Sequence, residues 1–147
     1  MLIGISPVIS PELLDALFRM GHGDEIVLGD SAFPGDSCNK RVIRADGIKI
    51  PALLEGILSL MALDSMADPV MMMDAVKGDS LDPTVEESYR KVIDSIYPGT
   101  PPTQLIERFA FYERAKTAYA VVMTGENSKY GNIILKKGFR SRRENQE

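Results

Sequence analysis

The chain has one cysteine, one histidine and no excess of positive charge among its 147 residues, and each shortage removes a class of protein. A lone thiol, Cys38, cannot form an intrachain disulfide. The amino terminus shows neither the basic segment nor the long apolar run of a secretion signal, so a reducing, cytoplasmic setting is expected. With one histidine, His22, and no cysteine pair, the usual zinc ligand sets are missing, and any metal would have to rest on carboxylates. Lys and Arg total 17 against 21 Asp and Glu, a formal charge of -4. Nothing in that balance draws the chain to nucleic acid or to an anionic membrane surface. No apolar run is long enough to span a bilayer, and neither an internal repeat nor a dividing linker is present.

What remains is an ordinary globular composition. Hydrophobic residues make up 44% and charged residues 26%, and the mean hydropathy is -0.07. A chain of this length is one domain and hides about two thirds of its unfolded surface, enough for a core without staples. Residues 1–140 are expected to form that domain and residues 141–147 a charged, frayed tail.

The punctuation alternates between helices and strands. Ser10-Pro11-Glu12 starts a helix with a capping hydroxyl, a proline at the first turn and an acid at the positive dipole end. Leu13, Leu14, Leu17 and Phe18 share one face, and Gly21 is placed to close the helix in a left-handed conformation. Residues 25–30 read as a buried strand, ended by the turn residues 31–35. Arg41 to Arg44 reads as a second strand, Pro51 opens a helix, and Val70 to Val76 is a third buried strand. Asp82-Pro83 begins another helix, with Val85, Tyr89, Val92, Ile93 and Ile96 at helical spacing. Leu105-Ile106 forms a short strand and Phe109 to Lys116 a short helix. The runs 118–123 and 132–135 read as neighbouring strands joined by the turn at 124–128. Such alternation predicts an α/β layer fold, a mixed sheet flanked by helices.

Residues able to carry chemistry are few. An unperturbed imidazole titrates at about 6.5, which makes His22 the first candidate for an acid or base. A histidine just past a helix end also serves as a plain cap; its surroundings argue for more. Asp24 is close enough in sequence to orient the ring, Gly21 and Gly23 free the backbone, and Asp30 can face the same cleft. The spacing of His22, Asp24, Glu25 and Asp30 fits neither a calcium loop nor a histidine-pair zinc motif. No glycine-rich fingerprint enters a helix, so phosphate chemistry is not expected. Arg108, between Glu107 and Phe109, is either a snorkelling cation or a donor aimed into a polar pocket. Tyr130-Gly131-Asn132 sets a phenol and an amide around a flexible glycine, suited either to binding hydroxyls or to an ordinary turn. Met71 to Met73 read as packing, and Cys38 as an unpartnered loop thiol.

Taken together, these motifs resemble the fucose branch of the RbsD/FucU sugar mutarotase family. The resemblance runs from Gly4-Ile5-Ser6-Pro7 to Leu135-Lys136-Lys137-Gly138. It is carried by residues 20–27, by Arg44-Ala45-Asp46-Gly47, by residues 108–115, and by Thr124-Gly125-Glu126 with Tyr130-Gly131-Asn132. The ribose pyranase branch typically has histidine where this chain has Arg108, which favours the fucose branch. The resemblance implies that His22 is the catalytic acid/base, and that Asp30, Arg108, Tyr130, Asn132 and the backbone of Gly131 hold the sugar. It further implies cofactor-independent isomerase chemistry on L-fucose, with no metal, and a homo-oligomeric ring, octameric or decameric, with sites near subunit boundaries. D-ribose pyranase activity and non-catalytic monosaccharide binding in transport are the competing expectations.

Overall fold

Period-two alternation in the strands decides which side of the sheet each residue covers. The computed structural model describes residues 2–139; the expected tail, residues 141–147, lies outside them. Six strands are present: β1 (Glu25–Gly29), β2 (Val42–Ala45), β3 (Val70–Met73), β4 (Gln104–Ile106), β5 (Ala120–Thr124) and β6 (Ile133–Lys136). They form one mixed sheet in the order β2-β5-β1-β6-β3-β4. Ile26, Leu28, Val70, Met72, Ala120, Val122, Ile133 and Leu135 face one layer, and Val27, Met71, Met73, Val121, Met123 and Ile134 the other. Burial on both faces explains why these strands read as continuous apolar runs.

The first layer is built by α1 (Pro11–Arg19), α3 (Ile50–Leu58) and α4 (Pro83–Ile96), through Leu13, Leu17, Leu53, Leu54, Ile57, Tyr89 and Ile93. Each large apolar side chain so buried contributes roughly 1.5–3 kcal/mol. The second layer is thinner: α2 (Gly35–Cys38) and α5 (Arg108–Thr117) supply Phe111 and Ala115, which pack with Phe33. Helix starts follow the local chemistry. Ser10 Oγ accepts from Leu13 N at 3.1 Å, and Asp82 Oδ1 accepts from Thr84 N at 2.9 Å.

Strand polarity positions the site. β5 runs parallel to β1 and β2, and β4 parallel to β3, while β6 is antiparallel to both β1 and β3. The carboxyl ends of β1, β3, β4 and β5 therefore share one edge of the sheet, and β6 starts from that same edge.

Three local expectations are corrected. Gly21 does not close α1 in the left-handed region; Met20 caps it in extended backbone, and the positive φ, 88°, falls on Gly23. A left-handed cap is unnecessary because Lys137 Nζ donates to the carbonyls of Leu17 and Met20, satisfying the helix end from outside. The second correction concerns β5 and β6, which are not neighbours, since β1 lies between them and pairs with both. Strand β3 also stops at Met73 rather than running on to Val76.

Candidate functional site

Loops at the carboxyl edge enclose a cleft of about 430 Å³, within the range of small-molecule pockets. Its lining includes Asp30, Arg108, Tyr130 and Asn132, four of the residues singled out in the sequence, with Phe33, Met73 and Val76 as apolar wall. Asp30 follows β1 directly. Its amide donates to Asn132 Oδ1 at 2.7 Å, and its Oδ1 accepts from Ala32 N at 3.0 Å. Asp30 is 9% and Asn132 4% exposed, so both are held rigidly. Burial pushes the Asp30 carboxyl above its ordinary value; the amides of Ala32 and Phe33 oppose that, and nearby Glu126 adds to it.

Arg108 is brought to the cleft by the start of α5. Glu107 caps that helix, its Oε2 accepting from Phe109 N at 2.9 Å and Ala110 N at 3.0 Å. Arg108 is thereby the first helical residue, and its Nε donates to Tyr112 Oη at 3.1 Å. The two terminal guanidinium nitrogens are left to donate, as is Asn132 Nδ2. Tyr130 reaches its place through a strained backbone, φ 57°, a conformation sparsely populated by non-glycine residues. Its hydroxyl donates to Asp79 Oδ2 at 2.6 Å and accepts from Val76 N at 3.4 Å. Lys129, Tyr130 and the Ser80 amide hold the Asp79 carboxyl down to about 2.

Gly131 serves by smallness rather than by flexibility. It is not among the lining residues, and a Cβ there would lie 2.8 Å from Ser128 O and 2.9 Å from Tyr89 Oη. Its amide donates to Ser128 O and its carbonyl accepts from Tyr89 Oη at 2.8 Å. Glu126 ties the surrounding loops together: its backbone oxygen accepts from Ser31 N, Oε1 from Ile50 N, and Oε2 from Ser128 Oγ.

His22 is not in this cleft. It sits in the turn before β1, at the amino edge, while Asp30 follows the strand at the carboxyl edge. Six residues at about 3.3 Å each separate the ends of that stretch, roughly 20 Å. The two therefore do not face a common cleft within one chain. Nor does Asp24 turn toward the imidazole; its Oδ2 accepts from Gly21 N at 2.7 Å. The partner of His22 is Asp64, with Nε2 and Oδ1 3.1 Å apart. Sequence reasoning missed Asp64, which lies 42 residues away in a loop with no local signature. Tyr112, expected only as one residue of the short helix from Phe109 to Lys116, and Val76, expected as strand, line the cleft without having been singled out. Among the described residues, no group of three or more His, Cys, Asp or Glu side chains is arranged to hold a metal ion. No helix among them is long and apolar enough to cross a membrane.

Over nearly its whole length the chain is similar to known proteins. The model of the RbsD / FucU transport protein family matches residues 3–140. An L-fucose mutarotase of Actinobacillus pleuropneumoniae serotype 5b is 59% identical over 139 residues, covering 94% of this chain and 96% of that protein. A solved fucose mutarotase of Streptococcus pneumoniae, in complex with L-fucose, superposes with a TM-score of 0.90 at 47% identity, covering 95% of this chain and 100% of that one. Bacillus subtilis RbsD, complexed with D-ribose, shares the fold at a TM-score of 0.70 and 20% identity, covering 96% of this chain and 100% of that one.

Proposed function

Since the chain belongs to the RbsD / FucU family, we propose that it is an L-fucose mutarotase, a cofactor-independent isomerase that interconverts the α and β anomers. The observation that carries this reading is the polar cleft of Asp30, Arg108, Tyr130 and Asn132, in a chain 59% identical to an L-fucose mutarotase. A reducing cytoplasmic setting suits it, because the lone thiol Cys38 needs no partner.

The reaction asks for little machinery. A base removes the proton of the anomeric hydroxyl, the bond from C1 to the ring oxygen breaks, and the ring oxygen takes up a proton. The resulting open-chain aldehyde turns about its C1–C2 bond and closes on the other face by the reverse transfers. Asp30 accepts from a sugar hydroxyl, while the terminal nitrogens of Arg108 and the amide of Asn132 donate to others. Tyr130, with Phe33, Met73 and Val76, supplies the apolar flank against which a 6-deoxy sugar packs. Gly131 shapes the segment that presents Tyr130 and Asn132.

His22 exchanges the proton, and it does so in the cleft of a neighbouring copy. The roughly 20 Å that β1 and its flanking residues set between the His22 turn and Asp30 supports this arrangement, in which a homo-oligomeric ring completes each site across a subunit boundary. Positioned acid–base catalysis contributes about 10²–10⁴-fold. Magnetisation-transfer NMR of L-fucose, with and without protein, tests the reading. Anomer exchange is expected to accelerate, and the acceleration to fall at least about 10²-fold in His22→Ala. Binding of L-fucose without acceleration would leave a non-catalytic monosaccharide-binding protein, and acceleration of D-ribose alone would move the chain to the pyranase branch.

A further inference from the structure

The amino edge of the sheet holds a carboxylate and an imidazole that the cleft does not explain. Asp64 is 5% exposed, and its Oδ1 accepts from Met66 N at 3.0 Å as well as meeting His22 Nε2 at 3.1 Å. The imidazole is partly open, its side chain 40% exposed. One end of the ring is therefore anchored in a buried site while other ring atoms remain accessible.

Both residues are referenced to the same short stretch of chain. Gly23 N donates to Lys137 O and Lys137 N to Asp24 O, which fixes the turn carrying His22. Asp64 N donates to Lys136 O, Gly138 N donates to Ala62 O, and Leu63 forms a β-bridge with Lys137. Gly138 passes so near that a Cβ would lie 2.5 Å from Leu63 O. The Phe139 ring lies 5.0 Å from the imidazole, tilted by 58°. Residues 136–138 thus act as a common frame on which the His22 turn and the Asp64 loop are aligned.

We propose that Asp64 is the positioning residue of His22: its carboxylate holds Nε2 as the protonated nitrogen and so leaves Nδ1 as the atom that exchanges the proton with the sugar. The assignment rests on the reading of His22 as the acid/base. An ionised carboxylate only accepts, so its partner nitrogen must carry hydrogen. Burial pushes the Asp64 carboxyl up, but the Met66 amide, the bond and charge of His22, and Lys136 together bring it below its ordinary value. The other charged groups nearby are otherwise engaged: Asp24 caps Gly21 N, and Lys137 Nζ caps α1.

The chain has one histidine, so its imidazole nitrogens can be read without assignment by ¹⁵N NMR of histidine-labelled protein. In the wild type above the imidazole titration, Nε2 is expected to show the protonated and Nδ1 the unprotonated signature. A predominantly Nδ1-protonated ring overturns the proposal with no variant needed. In Asp64→Asn the Nε2-protonated population is expected to fall, and kcat for anomer exchange to drop about tenfold or more with KM little changed. Asp64→Glu, which keeps a carboxylate, is expected to retain the wild-type tautomer and part of the activity, and it replaces Asp64→Asn should that variant fail to fold. Asp24→Asn is expected to leave the ring spectrum as it is. Unchanged tautomer and kcat in a folded Asp64→Asn would also overturn the proposal. Because the spectrum is read without sugar, an absence of mutarotase activity would refute the reaction and leave the Asp64–His22 pairing separately judged.

Discussion

A carboxylate buried in the wall of a cleft is placed at some expense to folding, and Asp30 is the case in this chain. Burial raises its proton affinity in the native state, so the native state keeps the proton longer than the unfolded chain does. Its favourable contribution is complete only below the unfolded value of about 3.9 and is lost as pH rises through the higher native value. At neutral pH the ionised group is a net burden. Asp30→Asn removes the charge and keeps an oxygen for the Ala32 amide. Its melting temperature at pH 7 is expected to equal or exceed the wild type, with the difference shrinking toward pH 4, as thermal melts across pH would reveal. L-fucose affinity is expected to fall about 10- to 100-fold, the loss of a hydrogen bond to a charged group, measured by calorimetry. The sequence made Asp30 and His22 visible because a strand flanked by an acid and the sole imidazole is a local pattern. Asp64 had no such pattern; only the β-bridge at Leu63 and Lys137 brings it to His22.

Among the elements, the segment between β5 and β6 is where local signals and tertiary structure diverge most. The residues 124–128 read as a hairpin turn, but the segment instead crosses over β1. Such a hop spans about 10 Å, two inter-strand spacings, which the loop bridges easily. It is stapled on the way by Glu126 to Ser31 and Ile50. The strand runs themselves, the mixed sheet and the caps at Ser10 and Asp82 were legible, because alternation and capping are local. Strand order is not, and α2, four residues long, is too short to show a helical period. The same loop yields a test of why Gly131 is glycine. An added Cβ meets Ser128 O and Tyr89 Oη, so Gly131→Ala is expected to destabilise by about 1–3 kcal/mol through overpacking. Because Tyr89 Oη is one of the two obstacles, the alanine is expected to be less harmful in a Tyr89→Phe background. Urea melts of the four proteins measure that coupling.

At the scale of the whole molecule, the problem is that His22, the proposed proton-exchanging group, and the cleft proposed to hold the sugar lie at opposite edges of one sheet. Large apolar side chains are exposed near both: Met66 and Phe139 close to His22 and Asp64, and Phe109 beside Arg108 at the cleft. Joining the amino edge of one copy to the carboxyl edge of the next is a head-to-tail contact, and repeated contacts of that kind close into a ring when the rotation permits. A site divided in this way has a consequence that a self-contained site lacks. His22→Ala removes the proton-exchanging group from one side of each boundary, and Arg108→Ala weakens the cleft on the other. Each variant alone is expected to be nearly inactive toward L-fucose. After dissociation and reassembly of a 1:1 mixture, random pairing places an intact His22 beside an intact cleft at about a quarter of boundaries. Anomer exchange is therefore expected to return to about a quarter of the wild-type rate per site, while co-incubation without reassembly returns nothing. If reassembled mixtures stay as inactive as their parents although mass measurement shows mixed oligomers, His22 and Arg108 act within one chain, and the roughly 20 Å of strand that separates His22 from Asp30, which shares the cleft with Arg108, would have to be closed by a rearrangement of the fold.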